Sequence, residues 1–233
     1  MKPIEMKSID KKTLSKQVID EIIELLNNQT FQPGDRLPSE MDLMERFNVS
    51  RPVIREALTS LEAIGVVNRK ARHGTFFENQ IGSKPFSIML ALSSGNIQSI
   101  IETRLSLEIG LITLAAEKIT EHELDQLAAN IEEMKARSDN EYRELDKDFH
   151  KIIARSASNQ LIEAFMTPLL NLFDQTWGNI PKEYRNQVKT VEQHTAIYHA
   201  LKENNGPRAY EAMYVHLDTV RKRFIRIEEE RQG

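Results

Sequence analysis

The amino-acid sequence predicts a mainly α protein built from two domains. Its 233 residues exceed one minimal domain, because domains commonly hold about 100–200 residues. Hydrophobic residues make up 40% and charged residues 28% of the chain, which permits a buried core and excludes a disordered or fibrous class. Short helices and a pair of strands are predicted in the first third, and a series of longer helices in the rest.

Composition also excludes several kinds of site. The chain has no cysteine, so it has no disulfide, no thiolate zinc site and no cysteine nucleophile. Any metal ion must bind to His, Asp or Glu. No apolar segment follows the first lysines, and no stretch approaches about 18 uninterrupted apolar residues. We therefore expect a cytoplasmic protein with no membrane partner.

The charge distribution favours a nucleic-acid partner more than the total does. The net charge of −4 argues against nucleic acid, but residues 50–77 hold five basic and two acidic side chains. The excess of acidic residues lies entirely after residue 80. The sequence therefore predicts a local basic patch in the first domain.

Three helices are predicted in the first domain. Apolar residues recur at helical spacing from Leu14 and stop at Asn27. After a turn and a short extended segment, Ser39 is a good N-cap for the second helix. Ser50 is predicted to cap the third, which ends at Gly65.

Two short strands follow the third helix. Residues 66–70 and 74–77 alternate in the manner of strands around a basic turn at 71–73. Helix, extended segment, helix, tight turn, helix and a ribbon with a basic tip is the order of a winged helix-turn-helix. The sequence therefore predicts that fold for the first domain.

Four motifs in this region resemble a known family. They are Pro-Gly-Asp-Arg-Leu-Pro-Ser-Glu at 33–40, Phe-Asn-Val-Ser-Arg-Pro-Val-Ile-Arg-Glu-Ala-Leu at 47–58, Leu-Glu-Ala-Ile-Gly-Val-Val at 61–67 and His-Gly-Thr at 73–75. Together, over about residues 12–77, they are similar to the DNA-binding domain of the GntR family of bacterial transcription regulators. One departure is Met41, where the family usually has Arg, so a contact to DNA is in doubt there.

The predicted DNA contacts lie at the start of the third helix and at the tip of the ribbon. A helix-turn-helix places the first residues of its second helix against base edges, and Arg can bond guanine bidentately there. Helix N-termini also bind phosphate. The alternative is that the basic residues form only a solvated surface. The predicted set is Ser50, Arg51, Val53, Arg55, Arg72, His73 and Gly74.

The rest of the chain is predicted to be an all-α helical bundle. We divide the chain into a DNA-binding domain at 1–77, a linker at 78–90 and a helical domain at 91–233. The linker holds Gly82, Ser83 and Pro85 and shows no sustained helical stripe. The predicted helices are 97–119, 121–138, 141–158, 161–177, 184–203 and 207–230.

Four polar residues of this domain lie on apolar helix faces. Asp146 and His150 are four residues apart on one face, and His194 and His216 lie on the apolar stripes of two other helices. Buried polar groups are costly unless they satisfy one another, and one divalent cation could satisfy all four. A lone histidine on an apolar face is, however, more often a hydrogen-bonded core residue. The residues alone leave both interpretations open.

A second resemblance favours the cation. Asp-x-x-Phe-His, then Ser-Ala-Ser-Asn, Glu-Gln-His at 192–194 and Ala-Met-Tyr-Val-His-Leu at 212–217 are similar to the helical effector domain of FadR-like GntR regulators. The resemblance implies a divalent metal on Asp146, His150, His194 and His216, with zinc as first choice and nickel, manganese or iron as alternatives. His199 is expected to point elsewhere, and His122 to be exposed.

Arg104 has two interpretations. With Glu108 one turn later, it can form an intrahelical ion pair. The resemblance implies instead that an Arg at this position faces the effector pocket, where a guanidinium suits a carboxylate.

These observations predict a DNA-binding transcription regulator rather than an enzyme. It would bind double-stranded operator DNA as a homodimer, and a small organic or sugar acid bound at the metal would modulate that binding. The acid would place a carboxylate on Arg104 and an adjacent oxygen on the metal. One alternative is a metal-dependent hydrolase, although Glu192 faces away from His194 and no general base stands at a fixed spacing to the metal set. The other is a constitutive DNA-binding protein with a purely structural metal.

Overall fold

The computed structural model describes residues 13–79, 82–91, 97–137, 142–177 and 184–232. Contacts between Cα atoms divide the chain into two compact units, Met1–Lys84 and Pro85–Gly233. The first unit holds three helices and two strands, and the second holds helices throughout its described part. The predicted fold class is confirmed.

The first unit begins with the three predicted helices, α1 (Leu14–Asn27), α2 (Glu40–Phe47) and α3 (Arg51–Ala63). Ser39 caps α2 with the predicted geometry: its hydroxyl accepts from the backbone N–H of Asp42, and the Asp42 carboxylate accepts from that of Ser39. Asn48 ends α2 with φ of 51°, a left-handed conformation that Asn tolerates. This tight turn redirects the chain into α3.

Two antiparallel strands, β1 (Val67–Lys70) and β2 (Gly74–Phe77), form the wing. They pair from Val67 opposite Phe77 to Lys70 opposite Gly74. The extended segment before α2 adds a further bridge, in which Arg36 lies opposite Phe76. The wing is thereby fixed to the start of the helix-turn-helix.

Apolar residues from the helices and strands of the first unit form one core, which includes Val18, Ile22, Leu43, Ile54, Leu58, Leu61, Val67 and Phe77.

The second unit is an all-α bundle. Six of its helices match the predicted segments to within about three residues at each end. Its helices are α4 (Lys84–Ala91), α5 (Ile97–Lys118), α6 (Glu121–Ala136), α7 (Arg143–Ser156), α8 (Gln160–Trp177), α9 (Gln187–Lys202) and α10 (Gly206–Gln232).

Helix α4 corrects the predicted linker at 78–90. The prediction missed it because α4 buries none of its residues, so its apolar residues do not form the stripe that marks a helix packed on a core. Pro85 occupies its first turn, where a missing N–H costs nothing.

The bundle places the first halves of α7 and α10 beside the middle of α5 and α9. Helix α5 packs against α7, α8, α9 and α10, and α9 also packs against α10. One core cluster unites Ile112 of α5, Phe149 of α7, Ile197 of α9 and Leu217 of α10. Polar residues on these four helices therefore face one another in the interior. Among the described residues, no helix combines the length and apolarity needed to cross a membrane.

Candidate functional site

The predicted reader helix presents its arginines to solvent. Arg51 and Arg55, four residues apart at the start of α3, are both exposed, whereas Ile54 and Leu58 are buried. Ser50 lies at the N-cap position, and its side chain makes no cap hydrogen bond. The helix therefore begins with an uncapped N-terminus beside two cations, an arrangement suited to phosphate and base contacts.

An acidic residue that was not predicted contacts this surface. The Glu40 carboxylate lies 3.3 Å from Arg51 Nε and 2.8 Å from Arg69 Nη2. It thereby joins the starts of α2 and α3 to β1. The Arg51 side chain is still 67% exposed, so this ion pair is weak and open to competition from DNA.

The wing tip carries the other predicted contacts. Arg72 and His73 are exposed, and Arg72 adopts a positive φ of 64°. Gly74 follows with φ of 106°, and a Cβ atom there would lie 2.9 Å from Arg36 Nε. Only glycine fits this position. Arg36 is thus a further cation at the wing that spacing along the sequence did not reveal.

Val53 differs from the other predicted contacts. Its side chain is half-buried and packs against the core of the first unit. Any contact with DNA would use only the exposed part of its methyl groups.

Met41, at the start of α2, is 69% exposed.

In the second unit, the structure brings together the four residues predicted to bind metal. Asp146 and His150 come from α7, His194 from α9 and His216 from α10. One candidate ligand atom from each lies within 4.8 Å of the other three. The three histidines are buried, and Asp146 is 20% exposed. His122 and His199 are exposed and lie outside the cluster, as predicted.

A chain of hydrogen bonds sets the tautomer of His216. The Thr219 hydroxyl donates to Val215 O at 2.7 Å, so its oxygen accepts from Gln193 Nε2 at 2.9 Å. This turns Gln193 Oε1 toward His216 Nδ1, 3.2 Å away. An amide oxygen only accepts, so the proton of His216 is at Nδ1 and a lone pair is at Nε2.

Glu108 sets the tautomer of His150 in the same way. Its carboxylate contacts His150 Nδ1 and pairs with Arg104 Nε at 2.6 Å. Burial raises the pKa of Glu108, but the charge of Arg104 and the contacts with Arg104 and His150 outweigh it and hold the pKa at about 2. An ionised carboxylate only accepts, so a proton of His150 is favoured at Nδ1, and a neutral ring then has its lone pair at Nε2.

When both rings are neutral in these tautomers, the two Nε2 atoms, 3.2 Å apart, present lone pairs to each other. The carboxylate of Asp146, a third acceptor, lies 3.4 Å from His194 Nε2. Burial raises the pKa of Asp146, but the contact with His194 and the other two histidines lower it well below its usual value. Acceptors therefore converge on one buried point, and the donor set fits a divalent cation.

His194 completes the set. Its ring stacks on Phe149 with centroids 3.8 Å apart, which fixes its plane. Burial lowers the pKa of His194 and lowers that of His216 further, so both are neutral imidazoles near pH 7. Neutral imidazole is the form that binds metal. Among the described residues, neither nitrogen of His194 has a hydrogen bond of normal geometry.

Both interpretations of Arg104 find support in the geometry. The ion pair with Glu108 is present and almost fully buried. However, Arg104 Nη2 is also buried and has no hydrogen-bond partner among the described residues. The guanidinium lies 4.1 Å from the centroid of Phe173 and lines two small adjoining cavities next to Asp146.

The sequence alone did not identify three side chains that orient the candidate metal-binding histidines. Glu108 was considered only as a partner of Arg104, and Gln193 and Thr219 were not considered as supports for His216. The signal for Glu108 was its polar character on a helix face otherwise directed into the core. Its partner His150 is on another helix, so spacing along the chain could not identify the contact.

Comparisons with known proteins agree with both units. Residues 14–77 match the family of bacterial regulatory proteins named gntR, and residues 99–219 match the FCD domain. The chain is 46% identical over 226 residues to the HTH-type transcriptional regulator YcbG of Bacillus subtilis, covering 97% of this chain and 96% of YcbG. It is 36% identical to LutR of the same species, covering 84% of this chain and 94% of LutR.

More distant proteins are also regulators. The HTH-type transcriptional repressor NanR of Escherichia coli K12 is 30% identical, over 90% of this chain and 84% of NanR. A solved structure of a GntR protein from Streptococcus agalactiae has a TM-score of 0.63 at 23% identity, covering 89% of this chain and 99% of the other, and supports the fold. The families and relatives are transcription regulators rather than enzymes, so the hydrolase alternative is not supported. The chain belongs to the GntR family of DNA-binding transcription regulators and carries an FCD domain.

Proposed function

We propose that this regulator binds a divalent metal in its helical domain and responds to a small organic or sugar acid that binds there. The observation that supports this most is the convergence of the Asp146 carboxylate with the Nε2 lone pairs of His150 and His216. Without a metal ion, one of these two buried rings would need a second proton for the Nε2 atoms, 3.2 Å apart, to form a hydrogen bond. Asp146, His150, His194 and His216 would hold the ion, and zinc is the first choice for such ligands.

Once bound, the ion would act as a Lewis acid that attracts oxygen donors. The chain's own residues would do the rest. Glu108 and Gln193 hold the imidazoles in the ligating tautomer. Arg104 offers Nη2, which lacks a partner among the described residues, to a carboxylate oxygen of the acid. A hydroxy or keto oxygen beside that carboxylate would complete the recognition.

The site must open before an acid can enter. The two cavities next to Asp146 measure about 10 and 20 Å³, which is room for about one water molecule each. An acid of even three carbons needs more space. We therefore expect side chains around the cavities to move when the acid binds, and this movement links the ligand to a second conformation.

The DNA-binding half of the proposal uses the exposed residues of α3 and the wing. Arg51 and Arg55 would contact base edges, Ser50 the phosphate backbone, and Arg72 with His73 the minor groove or its phosphates. We propose a symmetric homodimer that recognises a short palindromic operator. A two-fold axis places the same DNA-binding surface, α3 and the wing, at each half-site. The acid would shift the population between dimer geometries that match and do not match the half-site spacing.

The test combines metal, acid and DNA. Chelator-treated full-length protein is reloaded with zinc and screened by thermal shift against hydroxy and keto acids, and operator DNA is selected from a random duplex pool. We expect acids to raise Tm only when zinc is present, and the same acids to change affinity for the selected DNA. Zinc that raises Tm with no acid effect on Tm or on DNA affinity would indicate the purely structural metal instead.

Arg104 variants test the proposed contact between Arg104 and the carboxylate of the acid. Arg104→Ala should weaken acid binding by about 1.5–3 kcal/mol, the range for hydrogen bonds to charged groups, and leave zinc bound. Arg104→Lys retains a positive charge beside buried Glu108 and serves as the matched control for folding. An acid that binds Arg104→Ala as tightly as the parent would leave only the intrahelical ion pair as the role of Arg104.

A further inference from the structure

Three arginines from three helices line the cavities beside the candidate metal site. They are Arg104 of α5, Arg143 of α7 and Arg223 of α10. One carboxylate bound to a metal needs at most one bidentate arginine in addition. Two of the three therefore remain unexplained by an acid with a single carboxylate.

Arg223 has no carboxylate partner among the described residues. Its guanidinium lies 5.7 Å from the centroid of Trp177, and no ion pair joins it to another described side chain. Burial lowers the pKa of Arg223, but a guanidinium stays charged near neutral pH. The cavity therefore has a half-buried cation on its wall that feels the charge of Asp146 but makes no direct ion pair with a described carboxylate.

Arg143 already binds a carboxylate of this chain. Its Nε lies 2.6 Å from Asp174 Oδ1, and its Nη2 lies 3.3 Å from Asp174 Oδ2. The first contact is an ion pair and the second a hydrogen bond, and a ligand carboxylate could use the same two groups of Arg143. Arg143 is 35% exposed and lines both cavities, so it reaches from solvent to the interior.

Asp174 is held in an unfavourable environment. Its side chain is only 9% exposed, and burial raises its pKa although Arg143 and Lys147 oppose the rise. Because both charges lose water when they pair, the Arg143–Asp174 pair contributes less net stability than its short contacts alone would give. Lys147, 3.8 Å from Asp174, would remain as its partner if Arg143 moved away.

The local charges indicate how many negative charges a ligand should bring. Without metal, three guanidinium groups and the Lys147 ammonium group near the cavities are balanced by four carboxylates, one of which is that of Glu144, the partner of Lys147. A divalent ion would add two positive charges, and buried excess charge is costly. A ligand with two negative charges would restore the balance. The cations are Arg104, Arg143, Lys147 and Arg223, and the carboxylates are Glu108, Glu144, Asp146 and Asp174.

We propose that the effector is a dicarboxylic hydroxy or keto acid whose second carboxylate displaces Asp174 from Arg143. This inference rests on the proposed function, in which the first carboxylate and its neighbouring oxygen bind Arg104 and the metal. Asp174 occupies Arg143 in the ligand-free chain and is exchanged for the ligand's carboxylate. Opening of the Arg143–Asp174 pair would also enlarge the cavities, which are too small for the acid in their present form.

The test compares acids that differ only in the second carboxylate. Full-length zinc-loaded protein is titrated by calorimetry with lactate and tartronate, 2-hydroxybutyrate and malate, and 2-hydroxyvalerate and 2-hydroxyglutarate. Each pair has the same number of carbons and the same hydroxy-acid head. We expect at least one diacid to bind about tenfold or more tightly than its matched monoacid, or about 1.4 kcal/mol.

Variants assign this preference to Arg143. Asp174→Asn should tighten diacid binding severalfold, because it releases Arg143, and should leave monoacid binding unchanged. The double variant Arg143→Gln, Asp174→Asn removes both charges and leaves no buried carboxylate without its partner, so it should fold and bind zinc while the preference for diacids disappears. Arg155→Gln, on the same helix but outside these cavities, is the matched control.

The outcomes separate this inference from the proposed function. Zinc-dependent binding of monoacids and diacids with equal affinity would overturn the inference and leave the proposed function intact. A diacid preference that survives in the double variant would overturn the role of Arg143. Failure of every acid to bind the zinc-loaded chain would overturn both.

Discussion

The basic side chains of the winged helix-turn-helix and the polar side chains around Asp146 differ in how they are satisfied before a ligand binds. Arg51 and Arg55 are hydrated, and Glu40 provides only a weak, exposed partner. Around Asp146, burial removes water, so each polar atom depends on another side chain. A substitution in the first region should change binding alone, whereas one in the second should change binding and stability together.

The largest effect is expected in the buried region. His194→Ala and His216→Ala each remove one of the four proposed ligands, so zinc content should fall from about one per chain to near zero under stringent dialysis. Elemental analysis of the purified variants measures this. The matched controls are His122→Ala and His199→Ala, which remove exposed histidines outside the cluster and should retain full zinc. Full occupancy in His194→Ala or His216→Ala would show that the assigned ligand set is wrong.

The same difference between exposed and buried residues explains which parts of the structure could be predicted from the sequence. Helices were predictable where an apolar stripe marks the buried face, as in α7, and α4 was missed because it buries no residue. The Arg104–Glu108 pair was accessible because its partners are one turn apart. The Arg143–Asp174 pair was not, since its partners are 31 residues apart and meet only through the packing of α7 on α8.

The candidate metal site could be predicted only in part from periodicity. Periodicity alone placed Asp146, His150, His194 and His216 on apolar faces, but three separate helices can be arranged in many ways. The resemblance to a family selected one arrangement. The tautomers, which depend on Gln193 and Glu108, became evident only from contacts between helices.

The next effect is expected at the reader helix. Arg51→Ala and Arg55→Ala should each weaken binding to the selected operator by about 1–3 kcal/mol, the range for a bidentate contact to a base. Urea unfolding should be unchanged within about 0.5 kcal/mol, because both side chains are exposed. Titration with labelled duplex at one fixed salt concentration measures the first quantity. If both variants bind the operator as tightly as the parent, neither Arg51 nor Arg55 contacts a base.

A smaller effect is expected from pH in the metal-free protein. His194 and His216 have lowered pKa values in the folded chain, because burial disfavours the charged form. The unfolded chain therefore binds more protons once the pH falls below about 6.5, and stability decreases as the pH falls. Between pH 7 and pH 6 the loss should be about 1 kcal/mol for the two histidines together.

Urea unfolding of chelator-treated protein at the two pH values measures this loss. His216→Gln serves as the internal comparison and should lose about half of the pH dependence, because one of the two contributing histidines is gone. Stability that rises as the pH falls from 7 to 6 would contradict the assignment of buried neutral imidazoles.

The smallest effect concerns Met41, where the family usually has Arg. Met41 is 69% exposed at the start of α2, so Met41→Arg should leave the stability of the first unit unchanged. If the position faces phosphate, the added guanidinium should strengthen binding to all duplexes alike, and the slope of log affinity against log salt should become steeper by about 1. Met41→Gln, polar but uncharged, controls for the loss of an exposed apolar side chain. A salt dependence identical in the parent and in Met41→Arg would place Met41 away from the DNA, and the helix-turn-helix would then contact DNA without this residue.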